Sequence, residues 1–268
     1  MQARCFALGP VSFCLQEDEG LQLLEIAGYS GAAFADWNRR LFSFRCDGRS
    51  LDGRDIVCKD VLREGDMLRF RMEAGDSLEI LSEWRHDPET GVISRRDRLR
   101  NTGTSCRTLE RYFAEFPLLA GEYDGYWQRS LWCNENCGSW QSLSHAGDVV
   151  LSAISGRVSE GNTPFLALRD NYAANAVAFH LVPCGNWNIR IRQESSGGAL
   201  PTLFAGFGQA DGDLAYPLAP GEAWESPEVL VQSLPDRGES GGAAMLHRHL
   251  LKHCCAPYRP APVLYNTW

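Results

Sequence analysis

Two spacings in the chain are of the kind that can bind metals. His249 and His253 are four residues apart in "SGGAAMLHRHLLKHC", and a helix would carry both on one face, as zinc-binding helices do. The glutamate of the H-E-x-x-H motif is absent, so an exposed basic stripe near a helix C-terminus is the alternative. Cys133 and Cys137 form a C-x3-C pair with no further ligand nearby in the sequence. We therefore predict no metal site.

The last eight residues, "APVLYNTW", pair a short apolar run with groups that could contact a ligand. Pro262 ends the preceding segment, and the apolar residues 263–265 predict the start of a buried strand. Asn266 and Trp268 then place an amide and an indole where such a strand would open onto a site. Both are candidate substrate-binding residues.

Aromatic residues cluster in "YDGYWQRSLWCNENCGSW", residues 123–140. Such a cluster can line a carbohydrate site, form an interface with another domain or subunit, or plug the edge of a β-sheet core. The sequence leaves these three alternatives open. Serine, histidine and aspartate are all present, but no G-x-S-x-G nucleophile turn occurs, and the glycine loop "SSGGAL" has no following lysine.

Alternation of apolar and polar residues dominates the chain up to about residue 235. In "NWNIRIRQ", Trp187, Ile189 and Ile191 alternate with polar residues, and "MLRFRME" and "SLEILSEW" repeat the pattern. A period of two buries one face of a strand and leaves the other wet, which is typical of antiparallel sheets. The turn "HDPETGV" further predicts a hairpin between strands at 78–85 and 92–99. The fold class predicted is mainly all-β, a large antiparallel β-sandwich.

The pattern changes near residue 240, where Leu246, Leu250 and Cys254 recur at helical spacing. The proline-rich "CAPYRPAP" follows and can form neither a helix nor a central strand. We therefore predict a sandwich domain over residues 1–238, a helix over 239–255, and a linker with a single strand over 256–268.

Composition excludes several partners. The 268 residues carry a formal net charge of -8, which argues against non-specific binding to nucleic acid or to an anionic membrane. No apolar run reaches the roughly 18 residues that a membrane helix needs. We expect a soluble, cytoplasmic protein. Its ten scattered cysteines are expected to be reduced thiols, mostly buried.

Several stretches, in this order, resemble glycoside hydrolase family 36, the α-galactosidases. The stretches are "GVISRRDRLRNTG" (91–103), "NTPFLAL" (162–168), "CGNWNIRI" (184–191), "LAPGEAWESPEVLV" (218–231) and the P-V-L-x-N-x-W motif at 262–268. In the stretch 218–231, Ser226 stands where the family has threonine.

The resemblance implies that an N-terminal β-supersandwich precedes a (β/α)8 catalytic barrel. The chain would then end at the first barrel strand, with Asn266 and Trp268 as the first active-site residues, because barrel sites lie at the C-terminal ends of strands. The two catalytic aspartates of a retaining enzyme would lie on later strands. We therefore predict no catalytic residue and no hydrolysis by these 268 residues alone.

The segment "GAAFADWNRRLF" is similar to a loop that reaches towards a sugar site in the family. The resemblance implies that Asp36 accepts hydrogen bonds from sugar hydroxyls and that Trp37 stacks on galactose. Asn38 departs from the pattern, because the family favours arginine there and this chain has Arg39 one place later. The alternative is an ordinary aspartate turn with a tryptophan packed on the sandwich.

The implied function is the N-terminal domain of a retaining α-galactosidase that hydrolyses terminal α-D-galactosyl residues, supporting the active site and oligomer assembly. The implied partners are α-galactoside sugars, the catalytic barrel and further copies of the chain, with no cofactor. One alternative is an autonomous carbohydrate-binding or assembly module. Another is a sugar mutarotase, which would need a histidine acid and a glutamate base, and His180 has no obvious carboxylate partner in its neighbourhood.

Overall fold

A computed structural model describes residues 3–33, 35–75, 77–144, 147–172, 175–195, 200–212, 214–234 and 239–255. Their strands form three antiparallel sheets, in agreement with the predicted fold class. A four-stranded N-terminal sheet comes first in the chain. Its strands pair in sequence order: β1 (Arg4–Leu8), β2 (Val11–Leu15), β3 (Leu21–Ile26) and β4 (Tyr29–Ser30).

The large sheet has eleven strands, and neighbouring strands along its path are often distant in sequence. In spatial order the path is β13 (Asn134–Ser142), β12 (Tyr123–Leu131), β16 (Phe165–Asp170), β17 (Ala176–Val182), β22 (Glu228–Leu234), β10 (Val92–Asn101), β9 (Leu78–Asp87), β8 (Met67–Ala74) and β7 (Ile56–Glu64). Two short strands pair beside this path, β15 (Gly161–Asn162) with β12 and β21 (Ala223–Glu225) with β10.

The small sheet has seven strands and covers one face of the large sheet. Its path is β14 (Val149–Ala153), β18 (Trp187–Glu194), β19 (Thr202–Gln209), β11 (Arg107–Leu118), β5 (Phe42–Cys46) and β6 (Arg49–Asp52), and β20 (Tyr216–Leu218) pairs with β11.

Aromatic side chains hold the two sheets together. Phe116 of the small sheet lies 5.9 Å from Trp84 and 5.0 Å from Phe179, both on the large sheet, between ring centroids. The N-terminal sheet joins the same core through Phe13, whose ring lies 4.9 Å from Trp84. Edge-to-face pairs of this kind add about 0.5–1.5 kcal/mol to the energy of burial. The predicted inward faces are confirmed, since Trp187 is among the fully buried residues.

A buried ion pair crosses the core beside these rings. Arg95 and Asp97 of β10 are both 0% exposed, and their side chains meet at 2.9 Å. The Arg95 guanidinium also donates to the carbonyl oxygens of Glu115 and Leu41, at 2.9 and 2.7 Å. The Ser82 hydroxyl donates to Asp97 at 2.6 Å. Both charges are therefore paired and hydrogen-bonded, as burial in a low-dielectric core requires.

Two of the stretches quoted above for their family resemblance lie side by side, because β21 and β22 both pair with β10. The Asn101 amide donates to the Leu218 carbonyl at 2.9 Å and accepts from the Gly103 amide at 2.9 Å. The Ser226 hydroxyl accepts from the Asp97 amide at 3.0 Å. Ser226 therefore keeps a hydroxyl where the family has threonine.

The predicted hairpin and helix are both present. β9 and β10 pair antiparallel from Val92 opposite Asp87, joined by the predicted turn. The helix α2 (Glu239–His253) packs against β22 and β10, on the face of the large sheet opposite to the small sheet. A short helix, α1 (Ala35–Asn38), and a 3-10 turn at Gly53–Asp55 were not predicted.

The structure contradicts the expectation about the cysteines and leaves the expectation about residues 256–268 untested. The prediction of mostly buried thiols is wrong: Cys14, Cys46 and Cys58 are buried, and the other seven cysteines are exposed. The expected linker and final strand at 256–268 lie outside the described residues, and the proposed domain division stays a prediction. No helix in the described part of the chain is long and apolar enough to cross a membrane.

Candidate functional site

The segment around α1 is fixed by a close approach of backbones at Gly31. Gly31 forms a bridge with Leu118 of the small sheet and donates to the Leu24 carbonyl at 2.8 Å. A Cβ atom at Gly31 would overlap the Leu23 carbonyl oxygen and lie 2.6 Å from the Asn38 Oδ1. Only glycine fits there without a shift of the backbone. Gly31 is the first residue of the segment "GAAFADWNRRLF", which was quoted above for its similarity to a family loop.

α1 presents its two candidate side chains in different ways. Asp36 is exposed, whereas Trp37 is half-buried with its ring 6.3 Å from Phe204 in an edge arrangement. One side of Trp37 therefore packs on the small sheet, and its role in substrate binding stays a prediction. The Asp36 carboxylate faces solvent and is open to a hydroxyl-bearing ligand.

The arginines beside α1 are engaged in ion pairs. Arg39 binds Asp18 through two contacts of 2.7 and 2.9 Å. Arg40 binds Glu194 at 2.6 Å and lies over the Phe204 ring at 4.6 Å. Asn38 carries an amide in place of a guanidinium, and the Arg39 guanidinium is held by Asp18, so neither residue supplies a free guanidinium where the family pattern has arginine.

A groove of about 450 Å³ lies between α2 and the large sheet. Three half-buried rings form its aromatic side: Tyr126 lies 5.5 Å from Trp140 and 6.3 Å from Phe165. Gln128 and Gln232 add polar groups to the lining. The aromatic cluster of residues 123–140 therefore divides, with Tyr126 and Trp140 at this groove, while others face the core or solvent.

His180 is the titratable group at the floor of the groove. Burial, with a smaller contribution from the nearby His247, lowers the pKa of His180. Its neighbour across the strands is Phe165, with ring centroids 6.4 Å apart. Among the described residues that line the groove there is no aspartate or glutamate. The acid and base that a mutarotase would need are therefore not brought together at His180.

The C-terminal end of α2 meets the β9–β10 turn through a polar cluster. The Nε2 atom of His253 lies 2.8 Å from the Asp87 Oδ2, and the Nδ1 atom of His249 lies 3.4 Å from the same oxygen. Lys252 contacts Asp87 at 3.3 Å and Glu89 at 2.8 Å. The interpretation of the two histidines as an exposed stripe is wrong for His249, which is 6% exposed.

Electrostatics in this cluster follow from burial and hydrogen bonding. Burial alone would raise the pKa of Asp87, but hydrogen bonds from His253, the Glu89 amide and Lys252 hold it well below its usual range. Burial and the neighbouring His253 lower the pKa of His249. The sequence could not reveal this cluster, because Asp87 precedes His249 by 162 residues along the chain.

Two of the four substrate-binding candidates lie within the described residues, and the placement of the other two stays a prediction. Asp36 and Trp37 adjoin each other on α1, and Asn266 and Trp268 lie outside the described residues. The fold and these surfaces define a β-supersandwich domain with a helix on its large sheet, and comparisons with known proteins place it more narrowly.

The chain is similar to α-galactosidases over most of its length. It is 31% identical over 193 residues to probable α-galactosidase G of Aspergillus terreus, covering 68% of this chain and 25% of that protein. It is 26% identical over 206 residues to α-galactosidase AgaA of Geobacillus stearothermophilus, covering 71% of this chain and 26% of that protein. The chain thus spans about a quarter of the length of these curated relatives. No family model matches the chain.

Solved structures share the fold. The GH36 α-galactosidase AgaA of Geobacillus stearothermophilus in complex with raffinose matches with a TM-score of 0.73 and 18% identity, over 91% of this chain and 42% of that one. A galactose mutarotase-like protein of Lactobacillus casei matches with a TM-score of 0.50 and 12% identity, over 86% and 99%. The predicted resemblance to family 36 α-galactosidases is confirmed, and the coverage agrees with an N-terminal domain.

Proposed function

We propose that the chain is the N-terminal domain of a retaining α-galactosidase that hydrolyses terminal α-D-galactosyl residues. The observation that carries the proposal is the match of about two thirds of the chain to a quarter of each α-galactosidase sequence. In this proposal the domain supports a catalytic barrel, and the two catalytic aspartates belong to that barrel. The α-galactoside substrate, the assembly into oligomers and a cytoplasmic location are parts of the same proposal.

Asp36 and Trp37 would act from this domain, with Asn266 and Trp268 at the start of the barrel. The exposed carboxylate of Asp36 supports a contact with sugar hydroxyls, because carboxylates are strong hydrogen-bond acceptors. The packing of Trp37 against Phe204 supports a positioning role that holds α1 in place.

Activity assays on two lengths of chain test this proposal. The full-length product of the natural gene should hydrolyse p-nitrophenyl α-D-galactoside and release galactose as the α-anomer first. Residues 1–268 alone should show no hydrolysis, because the paired carboxylates are missing. A full-length protein without galactosidase activity, or an isolated domain as active as the full-length protein, would contradict the proposal.

A second candidate function is carbohydrate binding by the domain itself. It is favoured by the groove beside α2, where the rings of Tyr126, Trp140 and Phe165 adjoin two glutamine amides. Aromatic faces that stack on sugar rings, next to amides that bond hydroxyls, are a suitable lining for a saccharide.

Titration of residues 1–268 with galactose and melibiose by calorimetry tests the second function. Binding that is lost in Trp140→Ala and kept in Trp132→Ala would support it, because Trp132 is 87% exposed and away from the groove lining. The absence of a heat of binding with both sugars would contradict carbohydrate binding by the domain.

A further inference from the structure

Three side chains with metal-binding atoms converge where α2 ends on the large sheet. They are Asp87 at the end of β9 and His249 and His253 on α2, and their nearest ligand atoms all lie within 4.8 Å of one another. We propose that these three residues bind a divalent transition-metal ion of the zinc class. This site is independent of the proposed glycosidase activity.

The distances agree with a small coordination sphere. A tetrahedral zinc ion with bonds of about 2.0–2.1 Å holds its ligand atoms roughly 3.3 Å apart. The Asp87 Oδ2 and His249 Nδ1 atoms are 3.4 Å apart. His253 is closer to the carboxylate, at 2.8 Å, and its half-exposed ring has room to withdraw as an ion enters.

Neighbouring groups orient the carboxylate towards the histidines. The Glu89 amide donates to the Asp87 Oδ1 at 3.0 Å, which leaves Oδ2 facing His249 and His253. Lys252 also touches Asp87, but its closer contact is with Glu89 at 2.8 Å, so its charge can stay there when an ion is bound. Outer contacts that fix a ligand in this way are typical of metal sites.

The surroundings favour a cation. The cluster borders a cavity of about 490 Å³ whose lining includes five carboxyl groups and two guanidinium groups. A cavity with excess negative charge attracts cations, and its volume leaves a fourth coordination position open to water. Two imidazoles and one carboxylate select zinc, nickel or cobalt over magnesium and calcium, which prefer oxygen ligands alone.

Calorimetric titration of residues 1–268 with zinc chloride tests the proposal. We expect one ion per chain, no binding of magnesium chloride, and a loss of zinc affinity of at least about 100-fold in His253→Gln, beyond the range for outer contacts. Glutamine keeps the size and hydrogen bonding of this half-exposed side chain, so the variant should fold. His247→Gln, on another face of α2, is the matched control and should bind like the natural chain.

Exposed thiols are the competing ligands, and two further measurements separate them. Cys254→Ser should keep the affinity, and a cobalt(II) complex should lack the charge-transfer band of thiolate ligation. A zinc concentration about 100-fold above Kd should raise the Tm of the natural chain by roughly 5 °C, and leave that of His253→Gln unchanged. Equal zinc affinity of the natural chain and His253→Gln would overturn the proposal. So would a thiolate charge-transfer band in the cobalt(II) complex, or the absence of zinc binding.

Discussion

Arg95 shows how a single residue can organise the core of this domain. Its guanidinium lies 4.7 Å from the centroid of Phe42 and 5.0 Å from that of Trp84, while its nitrogens bond Asp97 and two backbone carbonyls. Cation–π contacts are strongest when they are desolvated, as here. The residue therefore joins β10, the loop before β5, and β11 through one buried charge.

Replacement of Arg95 by methionine should lower the free energy of unfolding by about 3–5 kcal/mol, because the Asp97 charge would be left buried without its partner. Urea denaturation followed by circular dichroism measures the change. Arg96→Met is the matched control, since this neighbouring side chain is 55% exposed.

The double variant Arg95→Met, Asp97→Asn distinguishes the buried charge from lost packing. It should recover part of the stability, because an asparagine can still accept the Ser82 hydroxyl bond without an ionised group. A double variant as unstable as the single one would assign the loss to packing around the rings.

Asp36 decides between the two roles proposed for α1. If its carboxylate contacts the sugar, Asp36→Ala in the full-length enzyme should lower kcat/KM by a factor equivalent to about 1–3 kcal/mol. The comparison is Asp18→Ala, which removes another exposed carboxylate beside α1. Equal, small effects of both substitutions on kcat/KM would leave α1 with a scaffolding role alone.

At the scale of elements, α2 packs against the sheet with polar as well as apolar residues. Gly242, Leu246, His249 and His253 follow each other at helical spacing on the side that meets the sheet and its turn. A Cβ atom at Gly242 would overlap the end of the Leu234 side chain, so a larger residue here would require the Leu234 side chain to move.

Acidification should lower the stability of the folded domain through His180, which lies on β17 beside α2. The pKa of His180 in the folded chain lies below its ordinary value of about 6.5, so the unfolded chain binds more protons between the two values. The free energy of unfolding should therefore fall as the pH falls through about 6.5 and below. His249, whose pKa is also lowered, contributes with the same sign.

Urea denaturation at a series of pH values checks this expectation. The slope below about pH 6.5 should be shallower in His180→Gln than in the natural chain. The slope should decrease less in His247→Gln than in His180→Gln, since His247 contributes less than burial to the lowered pKa of His180. An unchanged slope in His180→Gln would refute the burial argument.

Local patterns were sufficient to predict elements but not their long-range contacts. Period-two alternation identified β8, β9 and β18 and their buried faces, and the Asp-Pro turn identified the β9–β10 hairpin. The meeting of Asp87 with His249 depends on how α2 packs on a distant hairpin, and that of Tyr126 with Phe165 on how distant strands pair. Periodicity carries no information on that pairing, because it describes each strand only relative to its own neighbours in sequence.

At the scale of the whole molecule, the β12–β13 hairpin carries a large apolar group into solvent. Trp132 at its turn is 87% exposed, and β13 is an edge strand whose side chains are nearly all exposed. Exposed aromatic residues on such an edge are typical of contacts with another chain or domain.

If the full-length protein forms the proposed oligomer, substitution of Trp132 by serine should shift it towards smaller assemblies. Light scattering coupled to size-exclusion chromatography measures the mass. Trp127→Phe, a conservative change at a buried position of the same hairpin, is the control and should leave the mass unchanged. A Trp132→Ser protein with the natural mass would exclude this hairpin from the assembly interface.

The position of β22 has a consequence for how the chain acquires its structure. Glu228–Leu234 is synthesised after β10 and β17, yet β22 lies between these two strands in the middle of the large sheet. Until it arrives, both neighbours expose unpaired backbone edges, which other chains can capture. Pairings so distant in sequence slow folding, so we expect these edges to stay exposed to aggregation until β22 is inserted.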